Sequence, residues 1–504
     1  MKRYRSLRYQ KGRSQAFGER YRLKACCPTR RSGSILDGSA NHLTICLFLC
    51  ILNSKLRTVL SILSPPPAVA APPARFSLSC AFAGHMPFGK GLATCLCLPA
   101  WLECEHYSRF RARWLSDFEK GRARTMPKLF GKSYDRNDLR RRVGDLTQVA
   151  GVTPYVLSDG PERGVRALEF YNGGGLRFTV LADRGFDIGP AEYAGVPIAW
   201  RSVTGALAPS FYEKEGLGWL RGFHGGLLAG VGLATGGAPS EDQGKQYGLH
   251  GRLSYLPARC VSYGAEWQGD EYVLWAKGKV RDVAVYDEQL ELTRTITTKA
   301  GNHSLLVEDE VENIGFEPAG HIIVYHMNLG FPVVDDESEV LAPALSKTPN
   351  NPVPEGAMEK SHRIGPPVHG FPEEVYIMDL AADAAGKVTV AVVNRAFDNG
   401  QGLGVSFTWR KDQLPWFWEW KQIAEGMYVI GIEPANCGPK GRGPERAAGH
   451  LPILEPGDRR RYSVEISVLK SQEEIAAVER QIKEAVSGEI KRAVTNEVRR
   501  AMKK

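Results

Sequence analysis

The sequence contains no P-loop, no HExxH pair and no GxSxG elbow, so phosphate, zinc-hydrolase and serine-hydrolase chemistry have no signature in it. Gly230-x-Gly232 lacks the third glycine of a dinucleotide turn and has no βαβ context, which leaves nicotinamide chemistry equally unsupported. Cysteine is nearly absent from the larger part of the chain, where only Cys260 and Cys437 follow residue 125. Two distant cysteines exclude a disulfide scaffold and suit a reducing compartment. The remaining cysteines lie between Cys26 and Cys104 with no CxxC pair, against the paired spacing a zinc module needs. The apolar stretch Leu43–Leu52 is too short to cross a hydrocarbon core of about 30 Å. An excess of positive charge is also missing after residue 125. The chain as a whole has 65 Lys+Arg against 56 Asp+Glu, but residues 1–125 hold 21 basic and 6 acidic side chains. The rest is mildly acidic, so the basic pI does not make the protein a nucleic-acid binder.

Residues 1–125 are read as a basic, Cys- and Pro-rich extension outside the folded body, disordered or translated from upstream sequence. Ser64-Pro-Pro-Pro-Ala68 and Ala70-Ala-Pro-Pro73 hold neither a helix nor a central strand. A targeting leader is an open alternative, because eleven basic residues and only Glu19 fall in residues 1–36, although no clear amphipathic face accompanies them. No secretory signal is recognised, and the body is expected to be cytoplasmic.

From Met126 the patterning changes. Val165–Phe170, Leu176–Leu181, Val196–Trp200, Tyr272–Ala276, Leu290–Thr297, Ser304–Val311, His321–His326, Val388–Val393 and Val405–Trp409 read as short strands between Gly, Asn, Asp and Pro. Almost no long helical stretch separates them and no repeat period appears, which predicts one all-β antiparallel sandwich over residues 126–470. Arg461–Leu469 reads as the closing strand. Beyond it, Ile475, Val478, Ile482, Ala485, Val486, Ile490, Ala493, Val494 and Val498 recur at steps of three and four, which predicts an amphipathic helix over 471–504 with Ser471-x-x-Glu474 as its capping box.

The chemistry-bearing residues sit in Gly- and aromatic-rich strings. These are Leu181-Ala-Asp-Arg184-Gly-Phe-Asp187, Arg221-Gly-Phe-His224-Gly-Gly, Tyr247-Gly-Leu-His250-Gly-Arg252, Tyr325-His326-Met-Asn328 and Tyr428-Val-Ile-Gly-Ile-Glu433-Pro-Ala-Asn436. Trp200, Trp219, Trp416, Trp418 and Trp420 accompany them. Aromatic faces interleaved with Arg, Asn and His suit a sugar, whose C–H face is apolar and whose rim is hydroxyl. Lys421 and the run Arg459-Arg460-Arg461 are expected to be solvated charges.

As a set, the strings LADRGFDI, FHGGLLAGVGL, YGLHGRLSYLPA, YHMNLGFP and YVIGIEPAN resemble the aldose 1-epimerase-like branch of the galactose-mutarotase-like superfamily. The resemblance runs from Lys132 to about Leu469 and implies a many-stranded antiparallel β-supersandwich. It implies Glu433 as the base that takes the anomeric proton, His326 as the acid at the ring oxygen, and His250 as a second catalytic histidine that polarises the sugar. Arg184 falls where the family has an early substrate-binding arginine, and Asp187, His224, Arg252, Asn328 and Asn436 are the other candidate sugar contacts. Here Leu-His-Gly-Arg stands where the well-studied mutarotases have Leu-His-Gly-Gly, and Tyr325-His326 replaces an Asn-His pair.

The implied reaction interconverts the anomers of a free monosaccharide without metal or other cofactor, with neither nucleic acid nor membrane as partner. Opening a hemiacetal needs one proton removed at O1 and one delivered to O5, and an ionised Glu433 opposite a protonated His326 is the expected arrangement. Two alternatives stay open. One is a non-catalytic carbohydrate-binding module on the same fold. The other is a metal-dependent sugar isomerase or lyase with His224, His250, His326 and Glu433 as ligands. Oligomeric state is not legible.

Overall fold

The computed structural model describes residues 126–501, with side chains to residue 495. The expectations for residues 1–125 therefore fall outside the described residues. The remainder is mostly antiparallel β-structure. Eight strands form the largest sheet, in the order 259–268, 271–283, 289–299, 304–313, 459–469, 403–410, 387–394 and 339–341. Six strands form the second, in the order 344–349, 374–380, 416–424, 427–435, 322–329 and 229–233. A five-stranded sheet is built from residues 151–197.

Alternation explains the core between the two large sheets. On Gln289–Lys299 the inward positions are Leu290, Leu292, Arg294 and Ile296, and on Ser304–Asn313 they are Leu305, Val307, Asp309 and Val311. The six-stranded sheet contributes Tyr325, Met327, Phe417, Ile430 and Ile432 to the same apolar cluster. Two members of this inward register are charged. Arg294 and Asp309 are direct cross-strand partners, and the guanidinium binds the carboxylate through Nε at 2.9 Å and through a second nitrogen at 2.7 Å.

The six-stranded sheet is buried on its other face too. All of Ile322–Leu329 is buried, and the positions that alternate with the core form a second cluster with Val324, Trp418, Trp420, Val429 and Ala435. The segment from Trp200 to Phe223 and the turn around His250 supply Trp219, Phe223, Tyr255 and Leu249 to this face. This double coverage buries the sheet's second face under a cluster of aromatic side chains.

The strand expected over Val196–Trp200 stops at Pro197. Trp200 instead donates its N–H to the carbonyl of Asn328 at 3.0 Å, leaving its own hairpin to join the six-stranded sheet. The C-terminal helix Gln472–Ala501 starts as its sequence dictates, with the Ser471 hydroxyl accepting the Glu474 N–H at 3.3 Å. Glu474 reaches back to the Lys470 N–H at 3.0 Å, one residue beyond the partner a capping box would give it. Ile475, Ile482 and Ala485 are buried, whereas Ile490 and Val494 are exposed, so the apolar packing of the helix ends after Ala485, beyond which Arg492 donates to the Ala382 carbonyl at 2.7 Å. None of the described helices is long and apolar enough to cross a membrane.

Candidate active site

Strand register assembles the centre. Val324 pairs with Ala435 and Met327 with Ile432, which sets His326 beside Glu433 on adjacent strands. Trp418 lies directly opposite Glu433 on its other flank, and Ala229 lies opposite His326. Ala229, His326, Glu433 and Trp418 thus form one row across four strands, all on the face turned away from the core. His326 Nε2 lies 3.4 Å from Glu433 Oε1, and each residue is 4% exposed.

His250 comes from a loop and completes the group. Its backbone holds φ +59° and Gly251 follows at +72°, a left-handed pair that a non-glycine residue adopts only when its surroundings fix it. The fixing bonds run from its N–H to the Gly237 carbonyl at 3.0 Å and from the Gly232 N–H to its own carbonyl at 3.1 Å. The His250 and His326 rings stand 5.8 Å apart, edge to face, and the Trp219 ring packs 4.7 Å from His250. The Phe223 and Trp420 rings pack 5.2 and 5.6 Å from His326. Four buried polar atoms in this aromatic cluster have no partner: Nδ1 of His250, Nδ1 of His326, Nε1 of Trp219 and Nε1 of Trp418. Buried donors and acceptors of this kind are normally satisfied, which sets these four apart.

The electrostatics correct the expected charge state. Burial pushes Glu433 up to about 8, and the nearby Glu373 adds to the rise. Burial pushes His326 down to about 4 and His250 down to about 3, the latter with a further contribution from His326. The pair is therefore a carboxylic acid beside a neutral imidazole at pH 7. It is not the carboxylate and imidazolium expected from mutual attraction, because loss of solvent outweighs a single 3.4 Å contact.

The other candidates lie around this centre. Arg184 is fully buried, and its guanidinium donates to the carbonyls of Ser254 at 2.6 Å, Leu207 at 2.9 Å and Gly222 at 2.9 Å. It clamps the segment that carries Trp219 and stacks over Tyr255. Asp187 is buried in the scaffold, where it accepts from the Gly230 N–H at 2.8 Å and the Ser254 hydroxyl at 2.6 Å. His224 sits 3.4 Å from Asp187, and Arg294 3.3 Å from it, which links Asp187 to Asp309 and on to the Tyr325 hydroxyl, 2.7 Å from Asp309. Asn328 donates to the carbonyls of Gly226 and His326 at 3.1 and 2.9 Å, steadying the strand that carries His326. Arg252 engages Asp282 at 2.6 Å, and Asn436 bridges Ile323 and His321 on the neighbouring strand.

Lys421 is a further correction. It is buried on the core face, donating to the Arg363 carbonyl at 2.8 Å, because alternation within Trp418-Glu-Trp-Lys421 turns it away from the tryptophans. Glu419 shares that face and is pushed up to about 7 by burial. Arg459 and Arg461 keep exposed side chains and pair with Glu310 across the strand. Phe223, Glu373, Arg294 and Asp309 were not singled out by sequence motifs. The last two carried a readable signal, since each is a charge in the apolar phase of an alternating strand. Among the described residues, no three His, Cys, Asp or Glu side chains converge as metal ligands, so His224, His250, His326 and Glu433 do not form one set.

Comparison with known proteins agrees with this architecture. The crystal structure of a putative aldose 1-epimerase from Klebsiella pneumoniae subsp. pneumoniae MGH 78578 is similar, with 26% identity and a TM-score of 0.64 over 70% of this chain and 91% of that one. A galactose mutarotase-like protein from Clostridium acetobutylicum shares 13% identity, covering 63% of this chain and 98% of its own with a TM-score of 0.47. A search of curated proteins finds no match. The profile of a family described as a domain of unknown function, DUF4432, matches residues 162–468. The chain belongs to that family, and it folds as an antiparallel β-sandwich of the galactose mutarotase-like kind.

Proposed function

We propose that the protein is an aldose 1-epimerase-like isomerase that interconverts the anomers of an uncharged free sugar. The observation that carries this reading is the Glu433–His326 pair, buried and in contact at 3.4 Å within an aromatic cluster. O1 and O5 of a pyranose are both bonded to C1, so two adjacent groups can serve both oxygens without standing on opposite sides of the ring. The pair holds one transferable proton at neutral pH. Entry of sugar hydroxyls replaces lost solvent and lets Glu433 pass that proton to His326, yielding the carboxylate that takes the O1 proton and the imidazolium that protonates O5. C1 then becomes an open aldehyde, rotates, and recloses on its other face with the protons returned.

An uncharged substrate follows from the surroundings. Arg184, Arg252 and Lys421 are all engaged elsewhere, and Glu373 raises the acidity barrier at Glu433. A phosphate or carboxylate on the sugar would meet no cation from these residues. The Trp219 and Phe223 rings, stacked 4.5 Å apart, cover the pair on this face of the sheet.

Two-dimensional exchange NMR on a panel of aldoses tests the reading. The full-length protein is expected to accelerate exchange for at least one uncharged aldose, and His326→Ala to reduce that acceleration by about 10²-fold or more. A folded protein that binds aldoses without accelerating exchange would instead be a carbohydrate-binding module.

A further inference from the structure

Gly431 stands two residues before Glu433 on the strand Met427–Ala435, with Trp420 opposite it on one side and Asn328 on the other. Residues two apart on a strand share a face, so a side chain at position 431 would project beside the Glu433 carboxyl. Gly431 has no positive φ, and its backbone therefore admits any residue. A glycine inside a strand packs nothing and weakens it, and such a residue marks a close approach.

The approach is that of Glu433. A Cβ added at Gly431 would lie 2.9 Å from Glu433 Oε1, and 3.1 and 3.2 Å from Cβ and Cε3 of Trp420. Oε1 is the same atom that faces His326 Nε2 at 3.4 Å. The carboxyl oxygen thus fills the space that any other residue at 431 would claim. Trp420 walls this space on its far side. Its indole N–H donates to Glu373 Oε1 at 2.8 Å, and its ring stands 5.6 Å from that of His326. Trp420 is buried, whereas Glu373 is exposed just ahead of the strand Glu374–Leu380.

We propose that Gly431 and Glu373 are positioning residues for the Glu433–His326 pair. The missing side chain at 431 seats the carboxyl against His326, and Glu373 holds Trp420 as the wall of that seat. The inference rests on the reading above, in which the pair moves the protons of anomer exchange. A methyl group at 431 would displace Oε1 from His326, because Trp420, tied to Glu373, closes the other side.

Exchange NMR on the full-length protein, with an aldose that the wild type turns over, reads the positioning. Gly431→Ala is expected to lower kcat by about 10–100-fold with KM changed by less, since a displacement of about 1 Å has an effect of that order. An unchanged kcat overturns the proposal. At about pH 6, between the values of the pair, Glu373→Ala is expected to lower kcat more than Glu373→Gln, because glutamine still accepts the Trp420 N–H. Equal values in these two variants overturn the role of Glu373. Thermal melts read the seat without turnover, through Gly431→Ala in the wild-type and Glu433→Ala backgrounds. The added methyl group should lower the melting temperature of the wild type, and lower it clearly less once the Glu433 carboxyl is gone. That result supports the seat even if no aldose is turned over, in which case only the epimerase reading fails. Equal falls in both backgrounds, or failure of both to fold, overturn the seat whatever the turnover.

Discussion

Glu433→Gln is expected to lower anomer exchange by about 10³-fold and, unusually for a core substitution, to raise the melting temperature at pH 8.5. Glutamine keeps the shape of the protonated carboxyl but neither gives nor takes the proton at O1. The stability effect follows from linkage. Folded Glu433 holds its proton up to about pH 8, whereas the unfolded carboxyl releases it near 4.5. Between those values the native state binds more protons than the unfolded state, so stability falls as pH rises. The stabilising contribution is complete below pH 4.5 and gone by about pH 8. Glutamine is neutral throughout and escapes the loss. His326 and His250 act on the other side, because their folded values are depressed. Their contribution is present above about pH 6.5 and is lost as pH falls towards 4 and 3. Thermal melts of the wild type and of Glu433→Gln at pH 5.5 and 8.5 check this. A variant whose advantage in melting temperature is clearly larger at pH 8.5 than at pH 5.5 is the expected pattern, and an advantage that does not grow between the two would contradict it.

Arg294→Met should destabilise the protein by about 3–5 kcal/mol, the loss typical when one partner of a buried ion pair is removed. Arg294 and both its carboxylates are buried, and the guanidinium is held above its ordinary range chiefly by Asp309 against the opposing effect of burial. Without it, Asp187 and Asp309 face each other's charge in the core, and Tyr325, next to His326, loses its ordered partner. Arg294→Lys keeps the charge but gives up the two-pronged contact to Asp309, and is expected to fall between wild type and Met. Urea unfolding monitored by tryptophan fluorescence reads the difference. A loss below about 1 kcal/mol for Arg294→Met would show that the carboxylates find other compensation.

Strands with one solvated face were legible in the sequence. Leu290–Thr297 lies within Gln289–Lys299, and Ser304–Val311 within Ser304–Asn313. The six-stranded sheet was harder to read, since a strand buried on both faces, such as Ile322–Leu329, shows no alternation to distinguish the aromatic face from the core. Local strings located His250, His326 and Glu433, but burial by segments far away in sequence sets their protonation. The same limit applies to Arg184. Its neighbours reveal a motif, while its role as a clamp depends on carbonyls of Leu207, Gly222 and Ser254 that only the fold brings together.

The pH dependence of kcat/KM for anomer exchange by the wild-type protein tests the central claim most directly. Activity requires one proton on the Glu433–His326 pair, so the profile should be flat between limbs near pH 4 and pH 8. Full activity at pH 7.5 is the predicted result. A profile confined between pH 4.5 and 6.5, the ordinary values of a solvated glutamate and histidine, would contradict a buried pair sharing one proton.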